Sequence, residues 1–287
     1  MELLNIDLDH LIYTVGVLVG CGIVGGFLAG LLGVGGGIIF VPALCFVFIS
    51  IFHVDPNIAI VIATATSLTC MIPTSISAAW SQYKRGNTDL NIIKTWSVAM
   101  FIGVCMGALI SNFYGGQWLG ILFGVVMILN SVNTLLRAQA KPMFDHLPSG
   151  AVQHVIAFCI AFFSVMLGIG GGTLTVPVLN ACSEPPHRSV GTSSAVSLFV
   201  CIPGVLVLLG ATIIHNNTPP EAPLGNYGFI NFLAALCIIP CSVLCAPLGV
   251  RVGKTLSPTN LKRLFALFLL LVAIKMFHQS LQYYGFI

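Results

Sequence analysis

The feature that most constrains this chain is a glycine-rich stretch that occurs twice between long apolar runs. The first copy is Gly33-Val34-Gly35-Gly36-Gly37-Ile38-Ile39-Phe40-Val41-Pro42, and the second is Gly168-Ile169-Gly170-Gly171-Gly172-Thr173-Leu174-Thr175-Val176-Pro177. Glycines and proline keep register at an offset of 135 (170 − 35). A straight helix does not tolerate such a cluster, since each interior glycine costs roughly 1 kcal/mol against alanine, and the helix breaks at each copy. With 57% apolar and 7% charged residues and a mean hydropathy of +1.02, against about a quarter charged in soluble domains, the chain reads as an all-α integral membrane protein. Inside a bilayer, bare N–H and C=O groups are tolerated only where they line a cavity or meet a ligand.

Five apolar segments precede the middle of the chain, at about Leu11–Leu32, Ile38–Phe52, Ile58–Trp80, Ile92–Phe113 and Trp118–Leu136. Asp55 and Pro56 have the chemistry of an N-cap and a first helical residue for the third. Gly103 and Gly107 have the small-xxx-small spacing of close helix packing in the fourth. After a connector, five more follow, at about Ala151–Leu167, Thr173–Cys182, Val190–Thr212, Phe229–Val250 and Leu261–Phe277. Ser/Thr patches after the glycines align at an offset of 128 (192 − 64), and Gly86-Asn87 aligns with Gly225-Asn226 at 139 (225 − 86). Shifting offsets between kept elements mark an internal duplication. The expected layout is a first repeat over 1–137, a cytoplasmic connector over 138–150 and a second repeat over 151–287.

An odd number of segments per half inverts the second repeat relative to the first. If every segment reverses side, Lys84, Arg85, Lys94, Arg137, Lys141, Arg188, Arg251, Lys254, Lys262 and Arg263 share one face. By the positive-inside bias that face is cytoplasmic and both termini lie outside. Counting each glycine-broken pair as one span scatters these charges over both faces. Thr173–Cys182 reaches only about 15 Å as a helix, against a hydrocarbon core of about 30 Å. A re-entrant hairpin is therefore expected, with the glycine tips approaching the midplane from opposite sides. The acidic N-terminus, Met1-Glu2-Leu3-Leu4-Asn5-Ile6-Asp7-Leu8-Asp9-His10, lacks the basic residues of a cleaved signal.

Free N–H groups at a helix start carry partial positive charge. Two facing tips, Gly35, Gly36, Gly37 and Gly170, Gly171, Gly172, with Pro42 and Pro177 as structural residues behind them, form a site for a small anion without a buried Lys or Arg. The hydroxyls of Thr64, Thr66, Ser67, Thr192, Ser193 and Ser194 could add donors, or bond back to their own helices. Cys237, Cys241 and Cys245 recur every four residues on one helix face, which suits either sulfur transfer or small apolar packing. No carboxylate lies mid-segment, and no metal cluster, cofactor loop or catalytic dyad is recognisable, so an enzyme is not expected. The net charge of +3 gives no reason to expect nucleic acid.

At these residues the chain resembles the sulfite exporter family of membrane permeases, TauE/SafE. The resemblance lies in both glycine-proline stretches, in the Pro56 to Ser67 region, in His187-Arg188-Ser189-Val190-Gly191-Thr192-Ser193, and in the Gly-plus-Asn loops before the fourth segment of each half. It implies a secondary transporter for a small sulfur-containing anion, such as sulfite, thiosulfate or an organosulfonate, in the bacterial inner membrane. Its motifs carry onto Gly35, Gly36, Gly37, Pro42, Gly170, Gly171, Gly172, Pro177, Thr192 and Ser193. Export by alternating access, coupled to a proton or another ion, is the expected activity. An anion channel and a sulfur-transfer protein using the three cysteines are the alternatives.

Overall fold

The computed structural model describes residues 8–113, 116–136, 144–215, 218–219, 222–253, 255–257 and 259–260, with scattered positions between 263 and 274. Among them, α1 (Leu8–Leu32) is followed by α2 (Gly37–Phe46), which a π-helical turn prolongs over Val47–Ile51. Then come α3 (Pro56–Tyr83), α4 (Leu90–Phe113), α5 (Gln117–Leu136), α6 (Ala151–Met166), α7 (Gly172–Ala181), α8 (Pro186–His215) and α9 (Phe232–Gly253). Five of these helices are long and apolar enough to cross a membrane. The protein is an all-α, multi-pass membrane protein.

Nine expected segments match these helices to within a few residues. The tenth, Leu261–Phe277, falls largely outside the described residues, as does most of the connector. Two boundaries differ. α8 begins at Pro186, where proline's fixed φ suits a first helical turn, rather than near Val190. Before α9 the chain makes a small antiparallel hairpin, Asn226–Tyr227 (β1) against Ile230–Asn231 (β2), where the helix was expected to start at Phe229. At α3 the expected start is found: Asp55 Oδ1 accepts from Asn57 N at 2.8 Å, with Pro56 next to it.

Small residues decide which helices touch. A Cβ on Gly103 or Gly107 of α4 would lie 2.5 and 2.6 Å from Phe158 O and Phe162 O of α6, so these positions bring the two backbones into contact. A second stripe, not singled out from the sequence, does the same on α1: Gly22, Gly26 and Gly30 face Ile238, Ser242 and Ala246 of α9. In both pairs the partner number rises with the glycine's, so each pair is parallel. The first long helix thus packs on α9, and α6 packs on α4. Between them α3 crosses α8 at the centre.

Buried Phe40, Phe48, Leu68, Trp96, Met100 and Phe123 fill the interior, whereas Val98, Leu206, Leu236 and Leu244 point outward. An apolar exterior is the lowest-energy arrangement only when the solvent is hydrocarbon. One end of the bundle is polar. There Trp80 stacks on Tyr83 with Lys84 Nζ 5.0 Å above the indole, Arg85 donates to Val250 O at 3.3 Å, and Arg188 pairs with Asp89 at 2.6 Å. Aromatic and basic residues together mark a membrane boundary, and Lys84, Arg85, Arg188 and Arg251 gather at it.

Candidate functional site

Each glycine cluster folds into a tip between two helices. Gly36 (φ +90°) caps α2, its carbonyl accepting from Ile39 N at 2.9 Å and Phe40 N at 3.1 Å. Gly171 (φ +82°) caps α7 in the same way, accepting from Leu174 N at 3.2 Å and Thr175 N at 3.0 Å. A side chain at either position would be forced into a backbone conformation that L-residues avoid. Among the described residues no acceptor meets the N–H groups of Gly35, Gly36, Gly37 and Ile38, or those of Gly170, Gly171, Gly172 and Thr173. These are the orphan donors that every helix start leaves. α2 folds back along α1, with the Phe40 ring against Gly25 and Cys21 Sγ 3.8 Å from Ile39 O.

The tips touch each other reciprocally. A Cβ on Gly37 would lie 2.5 Å from Gly168 O and 2.8 Å from Ile169 Cα; one on Gly172 would collide with Gly33 O and lie 2.8 Å from Val34 Cα. They meet about half-way along α3 and α8. Gly35 packs on Met71 and Ser75 of α3 and on Ser197 of α8, and Gly170 packs on Met71 and Cys201.

All six expected hydroxyls are buried, and two pairs of them play matched roles. Ser67 donates to Gly168 O at 2.8 Å, and Ser193 Oγ has both Gly33 O of the other half and Val190 O of its own helix at 2.9 Å, so each reaches the tip of the opposite half. Thr66 Oγ1 accepts from Asn231 N and Thr192 Oγ1 from Asp89 N, both at 2.9 Å. Asn231 and Asp89 in turn cap α9 and α4, accepting from Ala234 N and Asn91 N at 2.8 Å each. Thr64 and Ser194 bond back to Val61 O and Val190 O in their own helices. By the first two of these contacts the patches correspond at an offset of 126 (193 − 67 and 192 − 66), not the 128 expected from residue type, while Thr64 and Ser194, 130 apart, share only the habit of bonding back. Several neighbouring hydroxyls permit more than one alignment, and only their partners choose.

Sequence reading missed the residues of α3 and α8 that lie against the glycines. Met71, Ser75, Ser197 and Cys201 carry the stripes Ser67-Met71-Ser75 and Ser193-Ser197-Cys201, and this period of four was the available signal. Ser75 Oγ and Thr173 Oγ1, one at each tip, are buried with no hydrogen-bond partner among the described residues. Pro177 cannot give the N–H that Thr173 O would accept in an unbroken helix, and Asn130 Nδ2 on α5 donates to it instead at 2.8 Å. Asn130→Leu should therefore destabilise the fold by about 1–3 kcal/mol, the cost of a buried orphan carbonyl. A thermal melt in detergent would show it, and an unchanged midpoint would remove Asn130 from the support of this tip.

Cys237, Cys241 and Cys245 are half-buried on α9, away from the tips. A Cβ on Gly22 would lie 3.1 Å from Cys241 Cβ, so this thiol stands in the α1–α9 contact. Among the described residues no group of three or more His, Cys, Asp or Glu could hold a metal ion.

Known proteins share this pattern over most of the chain. A family model described as "Sulfite exporter TauE/SafE" matches residues 18–276. The "Probable membrane transporter protein YunE" of Bacillus subtilis is 24% identical over 284 residues, covering 92% of this chain and 98% of that protein. A "Probable membrane transporter protein" of Haemophilus influenzae is 27% identical over 256 residues, covering 89% and 95%. "Sulfite exporter TauE/SafE family protein 2" of Arabidopsis thaliana is 28% identical over 167 residues, covering 57% of this chain and 35% of that protein. No solved structure matches. With the match running from the middle of α1 to beyond α9, and the glycine tips inside it, this chain belongs to the sulfite exporter TauE/SafE family of membrane transporters.

Proposed function

We propose that the protein is a secondary transporter that holds a small sulfur-containing anion between the two glycine tips and passes it across a bacterial inner membrane by alternating access. The observation that carries this reading is the meeting of two helix starts at the centre of the bundle, each with N–H groups that no described residue accepts. Backbone donors suit an oxyanion: they offer partial positive charge with no charged side chain to desolvate. Ser75 and Thr173 add hydroxyl donors, one per tip. Sulfite, thiosulfate and organosulfonates present the oxygens such donors take, and the family name points to the same class.

The matched roles of Ser67 with Ser193 and of Thr66 with Thr192 support an inverted repeat, 1–137 against 151–287. The crossed packing of α1 on α9 and α6 on α4 supports it as well. In this reading each half closes one side of the site, and opening them in turn gives alternating access. In the same reading the end where Lys84, Arg85, Arg188 and Arg251 gather faces the cytoplasm, with both termini outside, as the positive-inside bias favours. Export follows when the anion is more concentrated inside, coupled to a proton or another ion.

Purified protein in liposomes loaded with sulfite or thiosulfate tests the reading. Saturable flux that Ser75→Ala slows about tenfold, the worth of one hydrogen bond to a charged group, is the expected result. Unitary currents in electrical recordings would replace the carrier with a channel. Flux lost when Cys237, Cys241 and Cys245 are together changed to alanine would replace it with sulfur transfer.

A further inference from the structure

One side chain lies against glycines of both tips at once. Met71, fully buried half-way along α3, sets its Cε against both tips: a Cβ on Gly35 or on Gly170 would collide with it. Its Sδ would lie 2.6 Å from a Cβ on Gly37 and 3.1 Å from one on Gly170, and Ser67 Oγ approaches the same sulfur at 3.8 Å. On α8 the matching position is Ser197, at the same offset of 126 (197 − 71) that relates Ser67 to Ser193. Ser197 Oγ would lie 3.0 Å from a Cβ on Gly172 and 3.3 Å from one on Gly35, and its proton goes to Ser193 O at 3.0 Å. One wall of the central space is therefore a short hydroxyl. The other is a long thioether that crosses the space to reach both tips.

Hydrogen bonding does not explain the thioether. A thioether sulfur is a weak acceptor with no proton to donate, and its methyl group satisfies none of the N–H groups around it. What methionine offers is volume on three rotatable bonds, which can fill a space and leave it. Accepting that the tips bind the anion, we propose that Met71 stands in the anion's place and must withdraw for it to bind, and that the volume its side chain vacates sets the largest anion the site accepts. Met71 is thus a specificity-determining residue. Binding then competes with the inserted side chain, and the observed affinity is reduced by the fraction of molecules in which Met71 is withdrawn.

The test uses the full chain in detergent or nanodiscs, titrated with sulfite, methanesulfonate, ethanesulfonate and butanesulfonate. Wild-type affinity should fall as the alkyl chain lengthens. In Met71→Ala the space is open, so sulfite should bind about tenfold more tightly, as when a competing state of that weight is removed, and the decline with chain length should flatten. Ser197→Met brings a second thioether into the same space and should weaken sulfite by about tenfold or more, which also decides the matter should Met71→Ala fail to fold. Gly172→Ala separates the two claims. If it abolishes binding while Met71→Ala and Ser197→Met keep wild-type affinity and chain-length dependence, the methionine proposal is overturned and the tips stand. If Gly172→Ala binds sulfite as the wild type does, the tip site itself is overturned.

Discussion

Gly172→Ala is expected to abolish anion binding and flux while leaving a folded, membrane-inserted protein, and Gly37→Ala should do the same from the other side. Neither position has the positive φ of its neighbours Gly36 and Gly171, so alanine fits the local backbone without strain. Its methyl group does not fit the tip interface. On Gly172 it would collide with Gly33 O, and on Gly37 it would lie 2.5 Å from Gly168 O. Relieving either overlap drives the two tips apart, at an overpacking cost of about 1–3 kcal/mol that leaves the fold intact. The anion then loses the donors of one tip. Hydrogen bonds to charged groups are worth about 1.5–3 kcal/mol each, so losing two weakens binding by at least about 100-fold. Gly36→Val and Gly171→Val act differently, by forcing a branched residue into left-handed backbone. Wild-type saturable uptake in Gly172→Ala and Gly37→Ala liposomes would count decisively against a site between the tips.

Most of the scaffold was legible because it rests on patterns that survive without neighbours. Apolar length, the two glycine clusters and the Asp55-Pro56 helix start each carry their own cause, and nine segments follow from them. Less legible was what depends on the partner. Gly22, Gly26 and Gly30 look like scattered helix glycines until Ile238, Ser242 and Ala246 lie against them. The hydroxyl patches were seen, but residue type alone could not say that Ser67 and Ser193 reach across to the other half while Thr64 and Ser194 bond back. Met71 passed unnoticed for a related reason: methionine in an apolar run signals nothing until glycines from two distant parts of the chain are found on either side of it. The short β1–β2 hairpin escaped because Phe229 and Ile230 run into the apolar helix that starts at Phe232 with only Asn231 between, and hydropathy is blind to the caps that fix a helix start.

One such start carries the largest expected effect on stability. Asn231 stands before α9, almost fully buried, and uses both side-chain polar atoms and its backbone N–H. Its Oδ1 accepts from Ala234 N at 2.8 Å, its Nδ2 donates to Leu224 O at 3.0 Å and Asn226 Oδ1 at 2.6 Å, and its backbone N–H goes to Thr66. Asn231→Leu keeps the volume and removes the whole side-chain network, leaving a helix N–H and two oxygens without partners. The buried Ala234 N–H costs about 1–3 kcal/mol, and the oxygens of exposed Leu224 and half-buried Asn226 cost less, so about 2–4 kcal/mol is expected in all. For a chain of this size that corresponds to a melting midpoint in detergent lower by about 10 °C. Asn231→Asp keeps the oxygen that caps Ala234 and should lose less. The matching change on α4, Asp89→Asn, keeps the cap and gives up only the ion pair to half-exposed Arg188, worth about 0–1 kcal/mol at such a site. If Asn231→Leu melts no lower than Asp89→Asn, the start of α9 is not held by its cap, and the link from Thr66 through Asn231 to that helix carries no stability.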